Sequence, residues 1–141
     1  MKVFLDTNVL LDYGQVRSGF EYADAIFQLG GLGYVDLYAS YLSYANMNYI
    51  LRHSSQDERY EILNALYEDV NVISCDSMQL GYALTHKVKD FEDMLQYCCA
   101  LSEGCDIIVT SDTDDYKEFC NIPYMTPLEF LNYFFMHNAT T

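Results

Sequence analysis

Three apolar residues followed at once by an acid, Val3-Phe4-Leu5-Asp6, constrain this chain more than any other stretch. A short continuous apolar run marks a strand buried on both faces. Thr7 and Asn8 then supply cap-type side chains, and Val9, Leu10 and Leu11 open a helix. A strand that passes directly into a helix is the first half of a crossover unit, and such units build parallel sheets covered on both faces. Ligands of these sheets sit beyond the carboxyl ends of the strands. Asp6 stands at such an end, where it either holds a metal or polar ligand or only caps the helix.

The same alternation continues. Apolar residues at Phe20, Ala23, Ile26 and Phe27 have helical spacing and predict a helix over 20–29, closed by Gly30 and Gly31. A second strand is expected over 34–39. Ser43 is the expected cap of a helix over 44–52, and another helix starts within 54–58. A third strand follows over 70–74, and Asp76 caps a helix over 77–85. A helix over 90–103 ends at Gly104, and Ile107-Ile108-Val109 is the clearest buried strand. A helical turn is expected over 116–119 and a last strand over 123–125. Thr126 and Pro127 then read as cap and first residue of a terminal helix reaching about residue 137. The fold class is α/β, with a mostly parallel central sheet of four to five strands. One domain is expected over 1–137, with a loose tail over 138–141.

The chain has 141 residues, of which 51% are apolar, enough for a packed core and too many for global disorder. No apolar run approaches the roughly 20 residues of a membrane span, so no membrane partner is expected. Asp6 interrupts what would be the apolar centre of a signal peptide, and a cytoplasmic location is expected. The five cysteines are odd in number and form no CxxC pair, which argues against a disulfide framework or a zinc ribbon. Adjacent Cys98 and Cys99 read as small apolar packing residues. The net charge of −14 fits a nucleic-acid enzyme poorly, because phosphate binding draws on Lys and Arg and the chain has only 7. Either a small basic patch meets the nucleic acid, or a basic partner covers the acidic face, or the protein binds no nucleic acid.

Acids cluster at three strand ends or helix starts: Asp6; then Asp90, Glu92 and Asp93; then Asp112, Asp114 and Asp115. Asp90 and Asp93 are three apart and share a helix face. Carboxylates brought together by folding raise one another's pKa. A bound Mg²⁺ or Mn²⁺ relieves that repulsion, since hard cations take oxygen ligands. Such a cation lowers the pKa of bound water and stabilises charge building on a phosphodiester. This chemistry needs no Ser, Cys or His.

The opening Val3-Phe-Leu-Asp6-Thr7-Asn8-Val-Leu-Leu-Asp12, taken with these later acids, resembles the PIN domain, a metal-dependent nuclease fold that includes VapC-type toxins. The resemblance covers nearly the whole chain. It implies a PIN-like α/β/α sandwich and a divalent-metal-dependent endoribonuclease, the toxin of a type II toxin–antitoxin pair. It implies catalytic positions at Asp6, Asp93, Asp112, Asp115 and Asn46, with Asp6, Asp93 and Asp112 as metal ligands. The segment Asp93 to Ala100 resembles the family's third-acid helix, and Ile107 to Thr110 its strand ending in Thr. Asn8, Asp90 and Thr110 are implied as supporting residues, Thr110 through its hydroxyl. RNA is the implied substrate, an antitoxin and a second copy of the chain the implied partners. One departure stands out: the family's second acid, usually Glu, falls on Asn46. Either the amide ligates or orients water while Asp90 supplies the lost carboxylate, or metal binding is weak and the protein catalytically degenerate.

Other candidates read as structural or surface groups. Asp12 either reaches the site or is solvated, and Asp114 is a surface acid. His53, His86 and His137 lack ligand spacing. Arg52, His53, Lys87 and Lys89 are the available phosphate contacts. The 14 tyrosines could stack on bases, although Tyr44, Tyr49 and Tyr97 are expected in the core. Two competing readings remain. One is a catalytically inactive PIN-like module acting through a protein partner. The other is a receiver-like or phosphatase-like domain, for which the acidic pair and late lysine are missing.

Overall fold

The computed structural model describes residues 1–138. Five parallel strands form one sheet, in the order β3-β2-β1-β4-β5. The strands are β1 (Lys2–Leu5), β2 (Asp36–Ser40), β3 (Asn71–Ile73), β4 (Ile107–Val109) and β5 (Tyr124–Met125). The helices are α1 (Thr7–Gly14), α2 (Phe20–Gly31), α3 (Tyr41–Ile50), α4 (Gln56–Asp69), α5 (Ser77–Thr85), α6 (Phe91–Ser102), α7 (Thr113–Tyr116) and α8 (Pro127–Asn138). The chain builds outward from β1 to β3, then returns to the other side of β1 to lay down β4 and β5. The order of the strands therefore reverses between β1 and β4, and a crevice opens beyond their carboxyl ends.

Alternate side chains of β1 feed two cores. Val3 and Leu5 join Leu37, Ala39, Ile107 and Val109 beneath helices contributing Leu10, Ile26, Leu66 and Phe130. Phe4 and Ile108 face the other way, against Met94, Tyr97 and Ala100 of α6, Ala83 of α5 and Tyr116 of α7. Burying an aliphatic side chain of this size is worth about 1.5–3 kcal/mol, so helices are held on both faces of β1.

The elements follow the expected order, with local differences. The capping box of α5, Asp76 with Gln79, and the Thr126 contacts before α8 stand where the sequence placed caps. Gly104 closes α6 with φ +72, a conformation other residues adopt at a cost. Helix α3 begins at Tyr41, three residues before the expected start, so Ser43 lies inside it and Ser40 is its N-cap. The short helix α7 is Thr113–Tyr116, ending where the expected turn began. Helix α8 carries Asn138, expected in the tail, and residues 139–141 lie outside the described residues. Tyr97 is buried, but Tyr49 is 65% exposed and is not a core residue. The reading of Cys99 as a packing residue alone needs correction. It is disulfide-bonded to Cys75, with Cα atoms 5.7 Å apart, and ties the β3–α5 connection to α6. Cys98, Cys105 and Cys120 remain free, so the single bridge is no framework. No helix among the described residues is long and apolar enough to cross a membrane.

Candidate metal centre

The crevice between β1 and β4 collects acids from three distant segments. Asp6 leaves β1 with extended backbone and caps α1, its Oδ1 accepting from the Thr7 N–H at 2.8 Å. Its Oδ2 accepts from the Thr110 hydroxyl at the end of β4, also at 2.8 Å. Capping and facing the crevice are thus compatible roles of one carboxylate. Asp112 follows Thr110, donates its N–H to the Thr110 hydroxyl at 3.0 Å, and accepts from the Asn8 amide at 3.4 Å. Asp90 caps α6, accepting from the Asp93 N–H at 3.0 Å. One carboxylate oxygen each of Asp90, Asp93 and Asp115 lies within 4.8 Å of the others.

A buried polar network holds this arrangement from below. The Gln96 amide donates to the Ser43 hydroxyl at 2.9 Å and accepts from the Ser40 hydroxyl at 2.5 Å. Ser43 in turn shares a 2.8 Å hydrogen bond with Thr7. Helices α1, α3 and α6 are therefore linked directly beneath Asp6 and Asp93.

The electrostatics follow from this crowding. Burial pushes Asp6 up to about 6, against the opposing hydrogen bonds from Thr110 and Thr7, with the charges of Asp112 and Glu92 adding to the rise. Burial, then the charges of Asp6, Asp90, Asp115 and Asp112, push Asp93 up to about 8. Carboxylates this close do not all ionise unless a positive charge joins them. The Tyr116 hydroxyl is fully buried, lies within electrostatic reach of Asp6 and Asp93, and has no hydrogen-bond partner among the described residues. An oxygen-only donor set, raised carboxylate pKa values and an orphaned buried hydroxyl fit a hydrated hard divalent cation.

A PIN domain family model matches residues 2–114, from the start of β1 to one residue short of Asp115. The chain belongs to the PIN domain family. It is similar to ribonuclease VapC1 of Aquifex aeolicus (strain VF5), with 29% identity over 140 residues covering 92% of each chain. Its fold is also similar to a solved structure of VapBC-1 from nontypeable Haemophilus influenzae. There the TM-score is 0.68 at 21% identity, covering 91% of this chain and 99% of that one. A structure of VapBC2 from Rickettsia felis bound to a DNA fragment from their promoter matches with a TM-score of 0.67 at 16% identity. That match covers 88% of this chain and 97% of the other.

Within this PIN domain, Asp6, Asp93, Asp90, Asp112, Asp115, Asn8 and Thr110 all lie at the crevice. Asn46 lies there too, but its neighbour was not expected: the amide donates to Glu92 Oε1 at 2.7 Å. Asp12 is instead tied to Arg17, 3.2 Å away, and packs so closely on Gly19 that a Cβ there would sit 2.3 Å from its Oδ2. Asp114 is exposed. His86 bonds Tyr82 and His137 bonds Tyr133, away from the acids. Arg52 is folded over the Tyr49 ring, 4.2 Å from its centroid. Lys89 lines a cleft with Ser111, Asp112, Thr113, Asp114 and Asp115. Sequence reasoning placed Glu92 in the acid cluster without giving it a role, and missed Gln96 and Tyr116. Gln96 had a signal, being a polar residue three after Asp93 on the face that α6 buries. Tyr116 had none, since nothing local marks a tyrosine as buried beside acids.

Proposed function

We propose that this PIN domain is a divalent-metal-dependent endoribonuclease, the toxin component of a type II toxin–antitoxin pair acting in the cytoplasm. The observation that carries the reading is the meeting of Asp6, Asp90, Asp93, Asp112 and Asp115 at one crevice. The naming of the Aquifex aeolicus relative as a ribonuclease supports it. Asp6, Asp93 and Asp112 would hold Mg²⁺ or Mn²⁺, with Asp90 and Asp115 beside them. When bound, such a cation lowers the pKa of attacking water and stabilises the charge that develops on the phosphodiester. Thr110 locks Asp6 by its 2.8 Å donation, and Asn8 steadies Asp112. Tyr116 offers a buried hydroxyl to water at the same place. Lys89 lines the cleft with Asp112 and Asp115; it, Lys87 and Lys117 have no ion pair among the described residues and would meet the RNA phosphates.

The same proposal includes a homodimer and an antitoxin. Exposed Met78 and Tyr82, one turn apart on α5, line one available apolar surface with Leu101 of α6. The groove lined by Leu29, Leu32, Tyr34, Phe134 and Phe135 is another. The test is incubation of the full chain with mixed RNA and either cation. Shorter fragments should accumulate only with cation, and Asp6→Asn or Asp93→Asn should lower the rate by at least about 100-fold. A second reading, a weakly catalytic module acting through a partner, draws on the uncharged Asn46 and the net charge of −14. Cleavage that is absent with either cation, or equal in Asp93→Asn, would favour it.

A further inference from the structure

We propose that Glu92 is a working carboxylate of the cation site and that Asn46 is the residue that aims it; this deepens the nuclease reading and rests on it. Glu92 stands in the first turn of α6, where an acid is ordinarily a solvated partner of the helix dipole. Such an acid needs no contact with another element. Here Asn46 of α3, on the opposite wall of the crevice, donates to Glu92 Oε1 at 2.7 Å. The other carboxylate oxygen, Oε2, has no partner among the described residues. An amide cannot itself neutralise a cation, but its N–H can fix a carboxylate that does. Asn46 and Glu92 therefore act as a relay that returns a negative charge to the α3 side of the crevice.

Two further observations support the placement. The hydrogen bond from Asn46 and the reach of the Glu92 charge to Asp6 set this exposed side chain at the mouth of the crevice. The Tyr116 hydroxyl, fully buried and without a hydrogen-bond partner among the described residues, lies within electrostatic reach of Asp6 and Asp93 and leaves a polar atom there to be satisfied.

The test is calorimetric titration of the full chain with Mn²⁺ alone, so that binding is read without turnover. Glu92→Gln should weaken Mn²⁺ about tenfold or more, and Asn46→Ala by a smaller factor, as expected for ligand and ligand-orienting groups. The double variant Asn46→Glu with Glu92→Gln moves the carboxylate across the hydrogen bond and should restore affinity to within about threefold of the parent. Glu61→Gln, on α4, controls for the loss of one surface charge and should leave the affinity unchanged. Circular dichroism confirms that each variant is folded. Affinity of a folded Glu92→Gln within twofold of the parent would overturn the proposal while leaving the nuclease reading intact, as would failure of the swap to restore binding. A parent chain that neither binds Mn²⁺ nor cleaves RNA would overturn both.

Discussion

Asp93 and Asp6 decide how the site behaves at the scale of single residues. Both are carboxylates whose folded pKa lies above the unfolded value near 4, at about 8 for Asp93 and about 6 for Asp6. Folding therefore favours their protonated forms. Their contribution to stability is full below about pH 4 and is lost as pH rises through about 6 and then about 8. Without a divalent cation the protein should lose stability between about pH 4 and 8, and a saturating cation should flatten that slope. Asp93→Asn should stabilise the cation-free protein at pH 8.5 by roughly 1–3 kcal/mol, since a tenfold change in a protonation equilibrium corresponds to about 1.4 kcal/mol and the repulsion is shared among several acids. The same variant should gain little from added Mg²⁺. Urea denaturation across this range, with EDTA or with Mg²⁺, measures both effects; a profile that stays flat with EDTA contradicts the electrostatic account. The acids that meet in the crevice were legible as Asp6, Asp93, Asp112 and Asp115 because each closes a strand or opens a helix. Glu92 was legible as a member of the same cluster, but its contact with Asn46 was not, because that partner is 46 residues away in sequence.

At the scale of elements, caps carried most of what could be read. Asp76, Gly104 and the Thr126-Pro127 pair place their helix ends because each signal is local. The start of α3 was misplaced for the opposite reason. Ser40 is its N-cap but makes no side-chain cap hydrogen bond, since its hydroxyl donates to Gln96 of α6. That long-range partner releases α3 to begin at Tyr41 and draws Ser43 into the buried network. The pairing of Cys75 with Cys99 was equally illegible, because it is set by the packing of the β3–α5 connection on α6. The network makes its own prediction. Gln96→Leu keeps the approximate side-chain size but strands the hydroxyls of Ser40 and Ser43, each of which loses a partner. The cost should be about 1–3 kcal/mol per stranded group, at the low end of that range given mutual re-pairing with Thr7. Cation affinity should fall with it, because α1 and α6 would no longer be held in register. Thermal and Mn²⁺ titrations on the same preparation check this, and full stability with unchanged affinity would assign Gln96 a passive place in the core.

For the whole molecule, the charge of −14 sets how RNA can be held. Of the 7 Lys and Arg residues, Lys2 pairs with Glu103, Arg17 with Asp12, and Arg52 lies over Tyr49. Arg59 turns its guanidinium to the carbonyls of Arg52 and Ser54. Lys87, Lys89 and Lys117 are left to meet phosphate, and Lys89 lines the cleft with Asp112 and Asp115. A protein that neutralises three phosphates of a single strand should show a slope of log affinity against log salt of about −2. That is far shallower than for basic nucleic-acid proteins, so salt should weaken binding only modestly while removal of the divalent cation weakens it strongly. The cation, rather than the protein surface, would then offset most of the repulsion between acidic crevice and phosphate. Fluorescence anisotropy with a phosphorothioate RNA, at fixed Mg²⁺ and increasing KCl, measures the slope. Lys89→Ala should reduce its magnitude by about 0.7 and leave the dependence on Mg²⁺ in place. A slope steeper than about −4 would require more cationic contacts than this chain leaves free, and the RNA would then have to be held by a basic partner bound over the acidic face.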